Sequence, residues 1–170
     1  MRRDEFGREL FDQKCTATIF AATLTGHCDW ISGVPDSVFR RVLPALPQWY
    51  FSPRENHAVA MAFGARLGGK RPAVLIQNSG LGLCLDALLG TFRLFGQGML
   101  LVVSNRGVLP WEEVQHRDWG LITENLLKAA CIPQIDFNQE GIEGLKRAAS
   151  QAEEERIIVS LILQRGNLDE

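Results

Sequence analysis

A chain of 170 residues, 46% hydrophobic and 22% charged, is long enough to bury its own core and has the composition of one globular domain over 1–170. Its formal net charge of −2 excludes the broad basic field that holds nucleic acid or anionic lipid. The four cysteines lack CxxC spacing, so free thiols in a reducing, cytoplasmic compartment are expected, without a zinc site. The short run ATIFAATL is expected to be neither signal peptide nor membrane span.

The first third of the chain predicts two helices and two short strands. Apolar residues recur at helical spacing between Asp4 and Thr25. DWISGVPDS then combines a short apolar run with a Gly-Val-Pro turn, and Asp36 or Ser37 can cap a helix that runs through Leu43. QWYFS predicts a short strand before the next helix.

The rest of the chain alternates between helices and apolar strands. ENHAVAMAFGARL carries one apolar stripe and ends at Gly68-Gly69, as a helix does. PAVLIQ and GMLLVVS are continuous apolar runs, typical of strands that are buried on both faces of a parallel sheet. The other predicted elements are helices at Leu83–Phe95, Leu121–Ala130 and Glu140–Glu154 and strands at IPQIDF and RIIVSLIL.

This alternation predicts a doubly wound α/β fold with about six mostly parallel strands. Polar residues follow several of these strands, at GVPDS, at the Arg54-Glu55 pair, at QNSGLG and at SNRG. Because ligands of such sheets bind at the carboxyl ends of the strands, we expect these segments to face one crevice. The loop Gly107–Gly120 carries two tryptophans and is expected to be functional or to form an interface.

Two glycine-rich segments look like phosphate sites. GARLGGKR nearly matches the P-loop pattern, but it closes a helix and opens a strand, and Arg71 replaces the Mg²⁺-binding hydroxyl. We therefore reject a P-loop. SGLG follows a strand and opens a helix, so it fits either an anion-binding helix start or a tight turn. A small-anion-binding module that uses SGLG alone stays open at this point.

The titratable residues leave several alternatives. No two of the three histidines have metal-ligand spacing, so no metal site is predicted in this chain. His116 lies in the predicted loop, either exposed to solvent or in contact with substrate. Glu55 opens a helix, where it can complement the helix dipole or act in catalysis.

GVPDS followed by ENHAVAMAFGARLGGKRPAVLIQNSGLG resembles the pyrimidine-binding domain of thiamine-diphosphate-dependent decarboxylases. The pattern is most similar to the alpha subunit of sulfopyruvate decarboxylase and to the N-terminal half of phosphonopyruvate decarboxylase. It extends from about Trp30 to Leu163 and is most specific between Arg54 and Gly82.

The resemblance implies a role for each matching residue. Glu55 would hydrogen-bond a ring nitrogen of the aminopyrimidine of the cofactor and so activate it, and His116 would relay a proton. The substrate would be a small 2-oxo acid. The cofactor contacts implied are Glu55, Val34, Pro35 and Ser79, and the substrate contacts implied are Ser37, Asn78 and Arg106.

The resemblance also implies a partner. The chain lacks a GDG…N-type motif, so Mg²⁺ and the diphosphate would be bound mainly by a beta subunit, in an α2β2 or larger assembly. Asp36 and the two tryptophans of the loop depart from the family pattern, which leaves the identity of the 2-oxo acid open. Carboligation with the same cofactor is one alternative, and a non-catalytic regulatory or scaffolding subunit is another.

Overall fold

The computed structural model describes residues 13–168 in full, together with the backbone of 2–3 and 9–10. Two short strands, β1 (Arg2–Arg3) and β2 (Glu9–Leu10), pair antiparallel. The remaining elements are α1 (Ala17–His27), β3 (Trp30–Gly33), β4 (Tyr50–Phe51), α2 (Glu55–Leu67), β5 (Pro72–Gln77), α3 (Leu81–Ala87), β6 (Met99–Ser104), α4 (Arg117–Ala129), β7 (Gln134–Asp136), α5 (Phe137–Glu154) and β8 (Ile158–Leu163).

Six strands form one sheet in the order β4-β3-β5-β6-β8-β7, and every neighbouring pair is parallel. The predicted six-stranded α/β fold is therefore confirmed. From β3 the chain continues to β4 on one side, whereas from β5 it continues to β6 on the other. A crevice opens at the carboxyl ends of adjacent strands where the connections diverge in this way. The switch point lies between β3 and β5.

The central strands are buried on both faces, which is why their sequences are continuous apolar runs. Leu75 belongs to a core cluster with Phe20 of α1 and Phe137 of α5. Ile76, the next residue along β5, belongs to a second cluster that includes residues of α2, α3 and α4. Successive side chains of a strand point to opposite faces, so the helices cover both sides of the sheet.

The first predicted helix begins later than its apolar spacing indicates. The predicted stretch from Asp4 is interrupted by β2, and residues 4–8 and 11–12 lie outside the described residues. α1 begins at Ala17 because the Thr16 hydroxyl caps it, accepting a hydrogen bond from the Ile19 N–H at 3.2 Å.

The predicted helix through Leu43 is wrong in type, since the chain forms two separate 3₁₀ turns at Ser37–Phe39 and Leu43–Ala45. The predicted cap at Asp36 is confirmed, because its carboxylate accepts a hydrogen bond from the Val38 N–H at 2.9 Å. Pro44 stands inside the second turn and limits how far a helix can extend before it.

Three other helices begin earlier in the structure than the sequence predicts. α3 starts at Leu81 and passes into π-helical turns at Leu88–Arg93, which apolar periodicity does not distinguish from α-helix. α4 starts at Arg117, inside the predicted loop, and α5 starts at Phe137. The Asp136 carboxylate caps α5 by accepting a hydrogen bond from the Asn138 N–H at 2.8 Å.

Among the described residues, none of the helices combines the length and the apolar character that crossing a bilayer requires.

Two fully buried serines of the sheet allow a test of how α2 is attached to β3. The Ser32 hydroxyl donates to the Ala58 carbonyl of α2 at 3.2 Å, whereas the Ser160 hydroxyl of β8 has no hydrogen-bond partner among the described residues. We expect Ser32→Ala to lower the free energy of unfolding by about 1 kcal/mol, and Ser160→Ala to leave it unchanged or raise it. Urea unfolding measures both, and equal destabilisation by the two variants would contradict this account.

Candidate active site

Glu55 is the first residue of α2, next to the switch point of the sheet. The segment before it is fixed by Ser52, whose N–H donates to the Gly33 carbonyl at 2.9 Å and whose hydroxyl donates to the Arg54 carbonyl at 2.7 Å. The Glu55 side chain is half-buried and lies directly over Gly80. A Cβ at position 80 would overlap the Cγ and Cδ atoms of Glu55, so only glycine leaves the carboxylate this place.

The Glu55 carboxylate makes no hydrogen bond or ion pair with any described residue. Its negative charge nonetheless acts on Cys84, which lies one turn after Gly80 on α3. Burial, followed by the negative charge of Glu55, raises the pKa of the Cys84 thiol to about 12. Cys84 therefore stays a neutral packing residue, and Glu55 presents an unused acceptor beside an apolar helix.

Gln77, the last residue of β5, connects two of the predicted site residues. Its Nε2 atom donates to the Ser79 hydroxyl at 2.7 Å and lies 3.2 Å from Nδ1 of His116. Ser79 and Gly80 are consecutive, so this bridge brings His116 to the turn against which the Glu55 side chain lies. His116 and Ser79 are both half-buried.

The loop that carries His116 is packed tightly against the chain after β6. Gly107 has a φ of +85°, and a Cβ there would collide with the backbone carbonyl of His116. Both the positive φ and this close approach favour glycine. The backbone of His116 is thereby fixed beside the end of β6.

Asn78 lies in the same turn but is fully buried. Its Nδ2 atom is within hydrogen-bond distance of Oδ1 of Asn105, the carbonyl of Arg106 and the hydroxyl of Thr123, at 2.9, 2.9 and 3.0 Å. This network ties the end of β5 to the end of β6 and to α4. A substrate contact by Asn78 stays a prediction, and it requires the network to open.

Arg106 lies at the centre of a buried ion-pair network. Its Nε and Nη2 atoms lie 2.5 Å from carboxylate oxygens of Glu112 and Glu113, and its Nη1 lies 3.5 Å from Oδ2 of Asp36. Nη1 also donates to the Ser37 hydroxyl at 2.8 Å. The side chain is only 4% exposed, and each of its three nitrogens already contacts a protein group, so the predicted substrate contact by Arg106 would have to compete with these partners.

The network explains the unusual acid at position 36. Asp36 accepts hydrogen bonds from the Val38 N–H and from the Ser104 hydroxyl, at 2.9 and 2.8 Å, and its side chain is 4% exposed. Its charge is compensated by Arg106 instead of standing free in the crevice. The neighbouring cofactor candidates lie at the same end of β3, where Val34 is half-buried with its N–H bonded to the Leu75 carbonyl and Pro35 is exposed.

Three curated proteins resemble the chain over 120 residues, and all three are named sulfopyruvate decarboxylase subunit alpha. Those of Methanococcus maripaludis and Methanocaldococcus jannaschii are each 30% identical, over 68% of this chain and 72% and 71% of their own lengths. That of Methanothermobacter thermautotrophicus is 39% identical over 68% of this chain and 73% of its own. The chain belongs to the sulfopyruvate decarboxylase alpha-subunit family.

A solved structure supports the fold of this alpha-subunit family member. The 2-oxoglutarate:ferredoxin oxidoreductase from Magnetococcus marinus, with 2-oxoglutarate, coenzyme A and succinyl-CoA bound, superposes with a TM-score of 0.63. The two are 18% identical, and the match covers 89% of this chain and 28% of the longer one. No protein-family model matches the chain.

In this family member, five of the eight predicted site residues fall into two groups. Glu55, Ser79 and His116 are joined through Gly80 and Gln77, whereas Ser37 and Arg106 belong to the ion-pair network. The sequence analysis missed Gln77, Glu112 and Thr123. Gln77 was visible as a polar residue that ends an apolar strand, but its partner is 39 residues away, and only the fold shows that pairing.

The ion-pair network predicts that replacing the buried Arg106 strongly lowers the stability of the fold. Arg106→Ala would leave Glu112 and Asp36 buried without a counter-charge, so we expect the free energy of unfolding to fall by about 3–5 kcal/mol. The matched control is Arg117→Ala at an exposed position, with an expected change within about 0.5 kcal/mol. Urea unfolding compares the two. Similar small changes in both variants would show that the network contributes little.

Proposed function

We propose that this chain is the alpha subunit of a two-subunit, thiamine-diphosphate-dependent decarboxylase of 2-oxo acids. One observation carries the proposal: a half-buried carboxylate, Glu55, stands unpaired over a glycine at the switch point of the sheet. Membership of the sulfopyruvate decarboxylase alpha-subunit family supports it. An acceptor without a protein partner, placed where such sheets bind ligands, is fitted to a ligand that donates a hydrogen bond.

The residues around Glu55 fit one part of thiamine diphosphate, its aminopyrimidine ring. The ring nitrogens need a carboxyl partner that shares a proton, and Glu55 offers a free one. We assign Val34, Pro35 and Ser79 to the ring contact as well, because they follow β3 and β5 beside the same switch point. When bound, the cofactor supplies the electron sink for loss of carbon dioxide from a 2-oxo acid.

The chain's own side chains would transfer protons and contact the substrate. Glu55 accepts a hydrogen bond at its carboxylate oxygens, and the missing side chain of Gly80 leaves room for that carboxylate. His116 relays a proton at Nε2, the ring nitrogen that Gln77 leaves free. Ser37 and Asn78 contact the substrate, and Arg106 acts through its hydrogen bond to Ser37.

We propose that the enzyme is active only with a beta subunit, which supplies most contacts to the diphosphate and Mg²⁺. The relatives are named as alpha subunits, which supports a partner. The helices that flank the Glu55 site also expose apolar side chains, including Met61 of α2 and Leu83 of α3, with Phe51 at the adjacent strand end. A partner that covers these side chains would bury both them and the site, in an α2β2 or larger assembly.

The first test is decarboxylation by the complex. The chain is mixed with its beta subunit, thiamine diphosphate and Mg²⁺, and carbon dioxide release is measured with sulfopyruvate, phosphonopyruvate and aryl pyruvates. We expect Glu55→Gln to lower turnover about 10²–10⁴-fold, because an amide keeps the shape but does not share a proton. Assembly, followed by size-exclusion chromatography, should not change.

Full activity of Glu55→Gln would remove the proposed role of Glu55. If the wild-type complex forms but releases carbon dioxide from none of the acids, the carboligase or regulatory alternative replaces the decarboxylase.

Gly80 provides an independent test that leaves the carboxylate itself intact. The methyl group of Gly80→Ala would push the Glu55 side chain aside, and we expect a loss of turnover of about 10²-fold from the misplaced carboxyl. Gly90→Ala is the matched control, because position 90 is exposed and an added Cβ meets nothing within 4 Å. Gly90→Ala should keep full turnover. Full turnover in Gly80→Ala as well would contradict the proposal that the space at Gly80 positions the Glu55 carboxylate.

A further inference from the structure

His116 is held by its backbone but needs a second contact to fix its ring. Its carbonyl packs against Gly107, and it ends the 3₁₀ turn Val114–His116 just before α4. These backbone contacts place the Cα atom but do not by themselves orient the imidazole ring. Among the described residues, the hydrogen-bond contact of the ring is with Nε2 of Gln77, 3.2 Å from Nδ1.

Gln77 is well suited to act as a fixed support. It is the last residue of β5, where it pairs with Ser104 in the parallel register of β5 and β6, two central strands of the sheet. Its amide is then fixed by the bond from Nε2 to the Ser79 hydroxyl at 2.7 Å. The strand and the following turn therefore hold the Gln77 amide in place independently of His116.

The chemistry of this contact determines which ring nitrogen carries the proton. An amide nitrogen has two N–H donors and accepts nothing. One N–H is directed to Ser79, so the other is available to His116, and Nδ1 must accept it. A neutral imidazole that accepts at Nδ1 carries its hydrogen on Nε2.

We propose that Gln77 is the positioning residue of His116 and holds the ring as the Nε2–H tautomer. Its catalytic meaning rests on the proposed function, since the ring would then present an N–H donor from Nε2 to the reacting groups. The tautomer itself is a property of the chain alone. It can therefore be tested without cofactor, partner or turnover.

The test is ¹H–¹⁵N NMR of the histidine rings of the full chain at mildly alkaline pH. The chain has three histidines, and the His116 signals are assigned by their loss in His116→Asn. Exposed His57 provides the reference for an unconstrained ring. We expect His116 to be protonated at Nε2 about tenfold over Nδ1, the population ratio that one hydrogen bond of about 1.4 kcal/mol would maintain.

Two variants of similar length separate a donor effect from packing. Gln77→Met removes both donors, so the His116 tautomer ratio should move to that of His57. Gln77→Glu replaces the donors with acceptors, so Nδ1 should now carry a proton. Gln139→Met, at an exposed position, should leave the His116 signals unchanged.

A wild-type ring protonated at Nδ1, or one tautomer shared by wild type, Gln77→Met and Gln77→Glu, would overturn the proposal. Turnover of the complex then separates this inference from the proposed function. A tautomer change with full turnover would confirm the Gln77–His116 pair and would remove His116 from the reaction. A tautomer change with lower kcat and unchanged KM would confirm both.

Discussion

The absence of a side chain at Gly80 is the constraint on which the candidate site depends. α2 and α3 pack together at their first turns, and there the Glu55 carboxylate occupies the space that a Cβ of residue 80 would fill. The protein supplies neither a cation nor a hydrogen-bond donor to that carboxylate from its described residues. A half-buried acceptor without a protein partner, in the region where such sheets bind ligands, is available to a ligand that donates a hydrogen bond.

Two parts of the sheet's carboxyl end are held by different physical means. On the β5 side, neutral hydrogen bonds from Gln77 and Asn78 fix the turn and the loop of His116. Where the segments that follow β3 and β6 meet, charges dominate, since Arg106 joins Asp36 to Glu112 and Glu113. Neutral hydrogen bonds can orient the His116 ring without placing a charge beside it. The buried ion pairs instead fix backbone segments that have no regular structure.

The sequence predicts the sheet well because each central strand is buried on both faces and must be continuously apolar. It also locates Glu55, since a helix start next to a strand end is a local pattern. The π-helical turns at Leu88–Arg93 and the 3₁₀ turns after Asp36 were missed, because they share their apolar spacing with α-helix. The partners of Gln77 and Arg106 depend on how distant segments meet, which no local pattern records.

The burial of Arg106 has a consequence for behaviour in concentrated salt. Salt at about 1 M shortens the Debye length to about 3 Å, so it weakens exposed pairs such as Lys146–Glu143 on α5. Solvent ions have little access to the pair of Arg106 with Glu112, whose side chains are 4% and 1% exposed, although Glu113 is open to them. The contact between the segments that follow β3 and β6 should therefore keep its shape as ionic strength rises, while exposed helix surfaces lose their pairs.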